Sequence, residues 1–355
     1  MTADLYQESA LLGFATNLLE GADLAPARAG VVAATLLEGD MMGHTTHGLA
    51  LLPGYLSELA SGAMRAKGEP EVVRDSGGTV LLDGRRLPGP FLVHHAIGLA
   101  LDRVAAHGTV TVVIRRSHHI ACLAAYLERA TAAGKMILLM SSDPNVASVA
   151  PFGGTAPFIT PNPIAAGIPT PGRPILMDIS SSITTNGLTG RLRAAGERLP
   201  GAWVMDAAGA VGDDPSVLFD DPPGTILPLG GLGAGHKGFA LGLLVEALTA
   251  ALGGFGRADK GEGWGAAVYL QVIDPAAFGG LDAYLRQTGW LAEAAEANRP
   301  RAGGPPVRLP GARGLALRDR MREQGVSLHP GIIAGLRPWA ERFAVAVPND
   351  AATDE

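Results

Sequence analysis

Four of the chain's nine histidines fall in two tight clusters. The first is Asp40-Met41-Met42-Gly43-His44-Thr45-Thr46-His47-Gly48, and the second is Ser117-His118-His119, just after an apolar run that ends near Arg115. Imidazole titrates near neutrality, so it can give a proton to a carbonyl oxygen or take one from an alcohol. An isolated histidine is more often a surface or structural residue. Two clusters, each at the edge of a periodic segment, favour acid–base work. A metal reading competes: His44 and His47 are spaced i, i+3, would share a helix face, and with Asp40 or Asp143 could hold zinc. Gly43 and Gly48 argue for a loop there, and no H-E-x-x-H pattern exists, so no metal is expected.

Two further stretches carry chemistry. Ser141-Ser142-Asp143-Pro144 follows the apolar run Met136 to Met140. Asp143 could orient a histidine or hold its imidazolium form, and the same residues equally suit an Asp-Pro turn. Gly230-Gly231-Leu232-Gly233-Ala234-Gly235-His236-Lys237-Gly238 runs into an apolar helix. Glycines admit a ligand to the backbone, a helix start offers free N–H groups, and Lys237 adds charge, a combination suited to phosphate. The alternative is a loop made for close packing. The stretch matches G-x-G-x-x-G, but no acidic residue follows at the ribose position, and it lies far from a first strand–turn–helix unit.

Positioning these groups falls to an alternating set of elements. Helical periodicity marks Leu11 to Leu19, Val31 to Leu37 and Leu49 to Leu59. Two β-rich runs around Ser76-Gly77-Gly78 predict a hairpin. Helices are expected over Val93–Ala106, Ala121–Ala133, Ile183–Ala195 and Lys237–Leu252, and strands over Thr109–Ile114, Met136–Met140, Ile175–Ile179 and Ala267–Ile273. Leu315–Gln324 and Gly331–Arg342 return to helix. The expected class is α/β, with helical layers over a sheet. Residues 1–85 with 305–355 are expected to form a helical subdomain carrying the small hairpin, and 86–304 the α/β cofactor- and substrate-binding region.

Composition narrows the function. The chain has 355 residues, 47% of them apolar and 17% charged, with a net charge of −6 and 5% aromatics. An acidic chain with few stacking side chains is a poor nucleic-acid binder. One cysteine, Cys122, excludes an internal disulfide and a cysteine-based metal knuckle. No stretch is long and apolar enough to span a membrane, and the first eight residues have no basic run, so a soluble, cytoplasmic protein is expected.

Several blocks, in order along nearly the whole chain, resemble the malate/L-lactate dehydrogenases of the second type. That family also holds ureidoglycolate and sulfolactate dehydrogenases and cyclic imino-acid reductases. Its D-x-x-G-x-x-S-H-G is similar to Asp40–Gly48, its S-N-H-F-G to Ser117–Ala121, and its P-x-G-G with G-T-N-P to Pro151–Gly154 with Thr160–Pro163. Its D-M-A-T-S resembles Asp178–Ser182, its I-P-x-G-W-x-x-D Leu199–Asp206, its G-x-K-G-[YF]-G-L Gly235–Leu241, and a late P-G-x-R Pro310–Arg313.

The resemblance implies a non-Rossmann, sulfolactate-dehydrogenase-like fold with a mixed sheet. It also implies NADP or NAD as cofactor, a small 2-oxo or 2-imino acid substrate, and a homodimer. It makes His119 the proton donor and acceptor, with His47 and Asp143 beside it. Thr46, Leu51, Tyr55 and His118 are then expected at the substrate, and Ser142, Asp178, Ile179, Ser180, His236, Lys237, Gly238 and Arg313 at the cofactor.

Departures from the pattern matter too. Leu51 stands where the family has an arginine that grips the substrate carboxylate, His118 where it has asparagine, Pro161 where it has threonine, and Leu188 where a lysine is common. They imply a specialised substrate, such as that of an NADPH-dependent cyclic imine reductase, or a cofactor-binding protein without catalysis. A zinc hydrolase or lyase using His44, His47 and His118 is the alternative from another class.

Overall fold

The computed structural model describes residues 4–261 and 263–349. Seven strands build its main sheet: β1 (Glu71–Asp75), β2 (Thr79–Asp83), β3 (Thr109–Ser117), β4 (Met136–Ser142), β5 (Pro163–Ile168), β6 (Ile175–Ser180) and β7 (Ala266–Ile273). Their spatial order is β1-β2-β3-β7-β4-β5-β6. Only β2 and β3 run parallel; every other neighbouring pair is antiparallel. A doubly wound dinucleotide fold needs parallel strands with crossover helices, so the sheet is mixed and not Rossmann.

Why these strands are central is legible in their residues. Val110, Val112 and Ile114 of β3 alternate onto one face and are fully buried there. They pack under the helix Gly89–His107, whose Leu92, Val93, Ala96, Ile97, Ala100 and Val104 form a buried stripe at helical spacing. On the opposite face Val113, Met140, Ile164 and Tyr269 meet Val245 of the helix Gly231–Glu246.

A second core is mainly helical. Helices Glu8–Gly21, Pro26–Met41 and Leu52–Ser61 bury Leu11, Leu18, Leu36, Leu52 and Leu56 against Ile332, Leu336 and Ala340 of Ile332–Phe343. The first and last parts of the chain thus share one apolar interior. The hairpin expected with these helices sits elsewhere: its second strand, β2, pairs with β3 and so belongs to the main sheet. The helix expected over Ala121–Ala133 is two short turns, Leu123–Tyr126 and Glu128–Thr131. Ala121 has φ +58°, which no helix can run through.

Arg318, on the helix Ala312–Gln324, ties the two cores together. It bonds Glu38 at 2.6 Å and also Glu128. Its side chain is only 11% exposed. Arg318→Ala leaves Glu128 without this cation and Glu38 with only Arg322 at 3.4 Å, and is expected to cost roughly 2–4 kcal/mol of stability. Urea unfolding of the variant measures this; an unchanged midpoint contradicts it. Among the described residues no helix is long and apolar enough to cross a membrane.

Candidate active site

A cavity of about 540 Å³ opens where the end of β4, the loop after β3, the start of the helix Asn186–Ala195 and the loop Gly43–Gly48 converge. It is bordered by His44, Thr46, His47, Leu51, His119, Ser142, Asp143, Asp178, Ser180 and Trp264. Both histidine clusters therefore contribute to one space, although some 70 residues separate them.

His119 is held from behind. Its Nδ1 lies 2.9 Å from the Tyr55 hydroxyl, which also donates to the His119 carbonyl at 3.0 Å. The Ala121 N–H points at the same Nδ1 from 3.3 Å. With Nδ1 so engaged, Nε2 is the nitrogen left to exchange a proton. The Ala121 N–H contact suits the tautomer with Nδ1 unprotonated and the proton on Nε2; when Tyr55 instead gives its hydrogen to the carbonyl, its oxygen accepts Nδ1–H and Nε2 is bare. Trp264 stacks on the imidazole, with ring centroids 4.5 Å apart. Burial pushes His119 well below the ordinary imidazole range, and His47 and His118 push it the same way, so the ring is neutral at pH 7.

His47 receives or gives a hydrogen bond to Thr46 Oγ1 at 2.9 Å, and its ring centroid lies 6.0 Å from that of His119. Burial lowers its pKa as well. Asp143 accepts the backbone N–H groups of Asn145 (2.9 Å) and Gly265 (3.2 Å). None of its hydrogen bonds among the described residues goes to His119, so the group that orients the imidazole is Tyr55. Burial raises the Asp143 pKa from its ordinary value, against the pull of the two backbone N–H groups.

Other predicted residues are more remote from the cavity. Tyr55 is fully buried and reaches it only through His119. His118 is buried too, its Nε2 3.1 Å from Glu58, and burial pushes it down to about 4. The set His44, His47 and His118 is therefore not assembled. Instead His44, Cys122 and Asp178 bring their potential ligand atoms within 4.8 Å of one another. Ile179 is exposed on the other side of β6. His236 and Lys237 are exposed in the first turns of Gly231–Glu246, and Arg313 is exposed near the start of Ala312–Gln324. Gly238 serves packing: a Cβ there would stand 2.4 Å from the Leu229 nitrogen. Sequence reasoning missed Trp264, whose only signal is an aromatic between two glycines, and Arg191, which clamps Thr45 through Oγ1 (2.7 Å) and the carbonyl (2.6 Å).

Under the loop lies Asp40, 1% exposed. Its Oδ2 accepts the Leu49 N–H at 2.7 Å, while Oδ1 is buried with no partner among the described residues. Burial pushes this carboxyl up to about 7, against the opposing pull of the Leu49 N–H and Arg191. The unfolded carboxyl titrates near 3.8. Between the two values the folded chain holds the extra proton, so stability falls as pH rises through that window and is level above it. Asp40→Asn removes the ionisation and is expected to narrow the stability gap between pH 5 and pH 8 in urea unfolding. A gap as wide as that of the unaltered protein contradicts this.

The cavity has room for a flat ring beside a small substrate. A Cβ on Gly187 would come 3.0 Å from Thr46 Cβ and 3.6 Å from His47 Cε1, so the glycine keeps a slot open there. Thr185 and Asn186 border the same slot with uncharged donors and acceptors, as a carboxamide and a ribose require. The hydroxyls of Ser142 and Ser180 are already bonded, to Thr249 and to the Ser182 carbonyl, both at 2.8 Å. These features fit the nicotinamide half of a dinucleotide.

The family model described as malate/L-lactate dehydrogenase matches residues 6–337. The chain belongs to the malate/L-lactate dehydrogenase family. It is 33% identical to an L-lactate dehydrogenase of Cupriavidus necator over 325 residues, 90% of this chain and 92% of that one. It is 32% identical to a (2R)-3-sulfolactate dehydrogenase (NADP(+)) of Chromohalobacter salexigens, over 92% and 95% of the two chains. The crystal structure of delta1-piperideine-2-carboxylate reductase from Pseudomonas syringae pvar. tomato superposes with a TM-score of 0.82 at 28% identity, over 95% and 99%. This member of the family is an NAD(P)-dependent oxidoreductase.

Proposed function

We propose that the enzyme moves hydride between a nicotinamide cofactor and the C=O or C=N carbon of a small substrate, with His119 as its acid–base group. The reading rests on one observation: an imidazole in the wall of the main cavity whose Nδ1 is bound to Tyr55, leaving Nε2 for the substrate. When bound, the nicotinamide supplies or takes up the hydride. Thr185, Asn186 and Gly187 would hold its ring, with Ser142, Asp178 and Ser180 along the cavity wall. His236, Lys237 and Arg313 would meet the phosphates of NAD or NADP. Lys237 follows a helix start whose N–H groups favour anions.

The remaining work belongs to the chain's own side chains. In oxidation, neutral His119 takes the proton from the substrate heteroatom at Nε2, and Tyr55 accepts Nδ1–H while the ring is charged. In reduction the same proton returns. Thr46 and His47 hold the heteroatom's neighbourhood by hydrogen bonds. Trp264 and Leu51 keep water from the reacting carbon. His118 supports the site from behind, through Glu58.

Names of the relatives favour 2-hydroxy acids or cyclic imino acids as the substrate class. The family resemblance adds a homodimer in the cytoplasm. Absorbance of the reduced nicotinamide, followed with a panel of 2-oxo and cyclic 2-imino compounds, tests the reading. Turnover with at least one compound supports it; cofactor bound without turnover of any compound contradicts it.

A further inference from the structure

The cavity has an unusual charge inventory for a site expected to take an acid. Among the described residues that border it, none is an arginine or a lysine. Two carboxyl groups do border it, Asp143 and Asp178. The guanidinium groups nearby are spent on other partners. Arg191 grips Thr45. Arg257 binds Glu246 at 2.8 Å and the carbonyls of Asp143 (2.9 Å) and Val146 (2.7 Å). Arg86 donates to the carbonyls of Ala63 (2.7 Å) and Trp264 (3.0 Å).

The uncharged part of the wall points the same way. Leu51, Ile120, Val146 and Trp264 give it an apolar lining. A carboxylate brought against such a wall loses its water and gains no cation, which is costly. A cation fares better, because the two carboxyl groups attract it. A cation beside Asp143 would also offset the burial that now disfavours its ionised form.

We propose that the substrate couple of this cavity is an amine and its imine, cationic at nitrogen and bearing no carboxylate on the carbon that exchanges hydride. This deepens the proposed function and rests on it. In the oxidising direction the ammonium N–H gives its proton to Nε2 of His119. Hydride leaves the neighbouring carbon for the oxidised nicotinamide, and the nitrogen lone pair forms the C=N bond. An iminium ion and the reduced cofactor result. Reduction runs the same steps backwards: hydride adds to the iminium carbon, and the amine takes the proton back from the imidazolium. A neutral His119 is the form that oxidation needs first, as its burial provides. Both members of the couple carry positive charge when they enter, which the carboxyl groups of Asp143 and Asp178 offset.

Leu51 is the specificity-determining residue in this account, because a cation placed there would face the cavity. Matched probes test the claim. With the purified full chain and reduced cofactor, kcat/KM for 1-piperideine is expected to exceed that for 1-piperideine-2-carboxylate at least about tenfold, the scale of one unpaired charge. Leu51→Arg is expected to reverse the order. Calorimetry gives a readout apart from turnover: in the complex with reduced cofactor, where the amine cannot react, piperidine is expected to bind more tightly than pipecolate, and Leu51→Arg to invert this too. A preference of the unaltered enzyme for the carboxylate-bearing imine or amine overturns this inference and leaves the proposed function standing. Absence of turnover with imines and 2-oxo acids alike, by protein that binds reduced cofactor, overturns both.

Discussion

His119→Gln is expected to lower kcat by roughly 10²–10⁴-fold, the range for loss of a positioned general acid–base group. Glutamine fills much of the imidazole's volume and can still hydrogen-bond Tyr55, but it has no nitrogen that takes a proton near neutrality. Affinity for reduced cofactor, read by fluorescence titration, is expected to change little, because the role proposed for the ring is at the substrate heteroatom and not at the dinucleotide's phosphates. The variant should also lose the pH dependence that the imidazole imposes. A variant that turns over at the normal rate, or one that simply fails to bind cofactor, contradicts the assignment. Trp264 stacks on this ring, so near-ultraviolet dichroism checks that the site has kept its packing.

Tyr55→Phe is expected to reduce kcat by roughly 10–100-fold, as one lost orienting hydrogen bond in a catalytic pair does. The hydroxyl bonds both Nδ1 and the carbonyl of His119. Without it nothing accepts Nδ1–H from the imidazolium, so the charged form is less favoured and the histidine's pKa falls further. The limb of the rate–pH profile that reports His119 is therefore expected to move to lower pH in the variant. KM should change less than kcat, since the phenol does not border the cavity. The buried ring remains and keeps the helix Leu52–Ser61 packed, at a cost of about 1 kcal/mol for the unpaired carbonyl. An unshifted pH profile with a lowered rate would make Tyr55 a packing residue only.

How much of this was legible in the sequence depends on the range of the contacts. Val110, Val112 and Ile114 alternate, and Leu11, Leu18 and Leu36 recur at helical spacing, so their elements could be read locally. Strand Pro163–Ile168 could not. Its residues are small, and Gly167 lies against Ile137 and Thr131 where a Cβ would stand 2.8 Å from each. The helix Leu281–Glu296 was not read, although Leu281, Tyr284, Leu285 and Leu291 share one face; it buries only Thr288 and Gly289. Strands Val204–Met205 and Thr225–Ile226 are two residues each, too short for alternation to register. The segment from Ala121 to Ala133 has apolar residues at helical intervals, but it is wedged between sheet and helix in two separate turns.

The site divides in the same way. The clusters around His47 and His119 stand out because their residue types are rare and adjacent. Their partners are visible only in three dimensions: Tyr55 meets His119 from 64 residues away, and Trp264 arrives on a loop just before the last strand of the sheet. Asp143 carried a plausible orienting role in the sequence, yet its oxygens are taken by the backbone of Asn145 and Gly265. Family blocks pointed to these two clusters, and the hydrogen bonds show that Tyr55 holds the imidazole.

A crystal structure of the enzyme with reduced cofactor and an unreactive amine tests the central claim most directly. Nε2 of His119 is expected about 3 Å from the amine nitrogen, with Nδ1 still on Tyr55 and the nicotinamide C4 facing the neighbouring carbon within the same cavity. An imidazole turned away from the ligand, or a dinucleotide lodged outside this cavity, would contradict it.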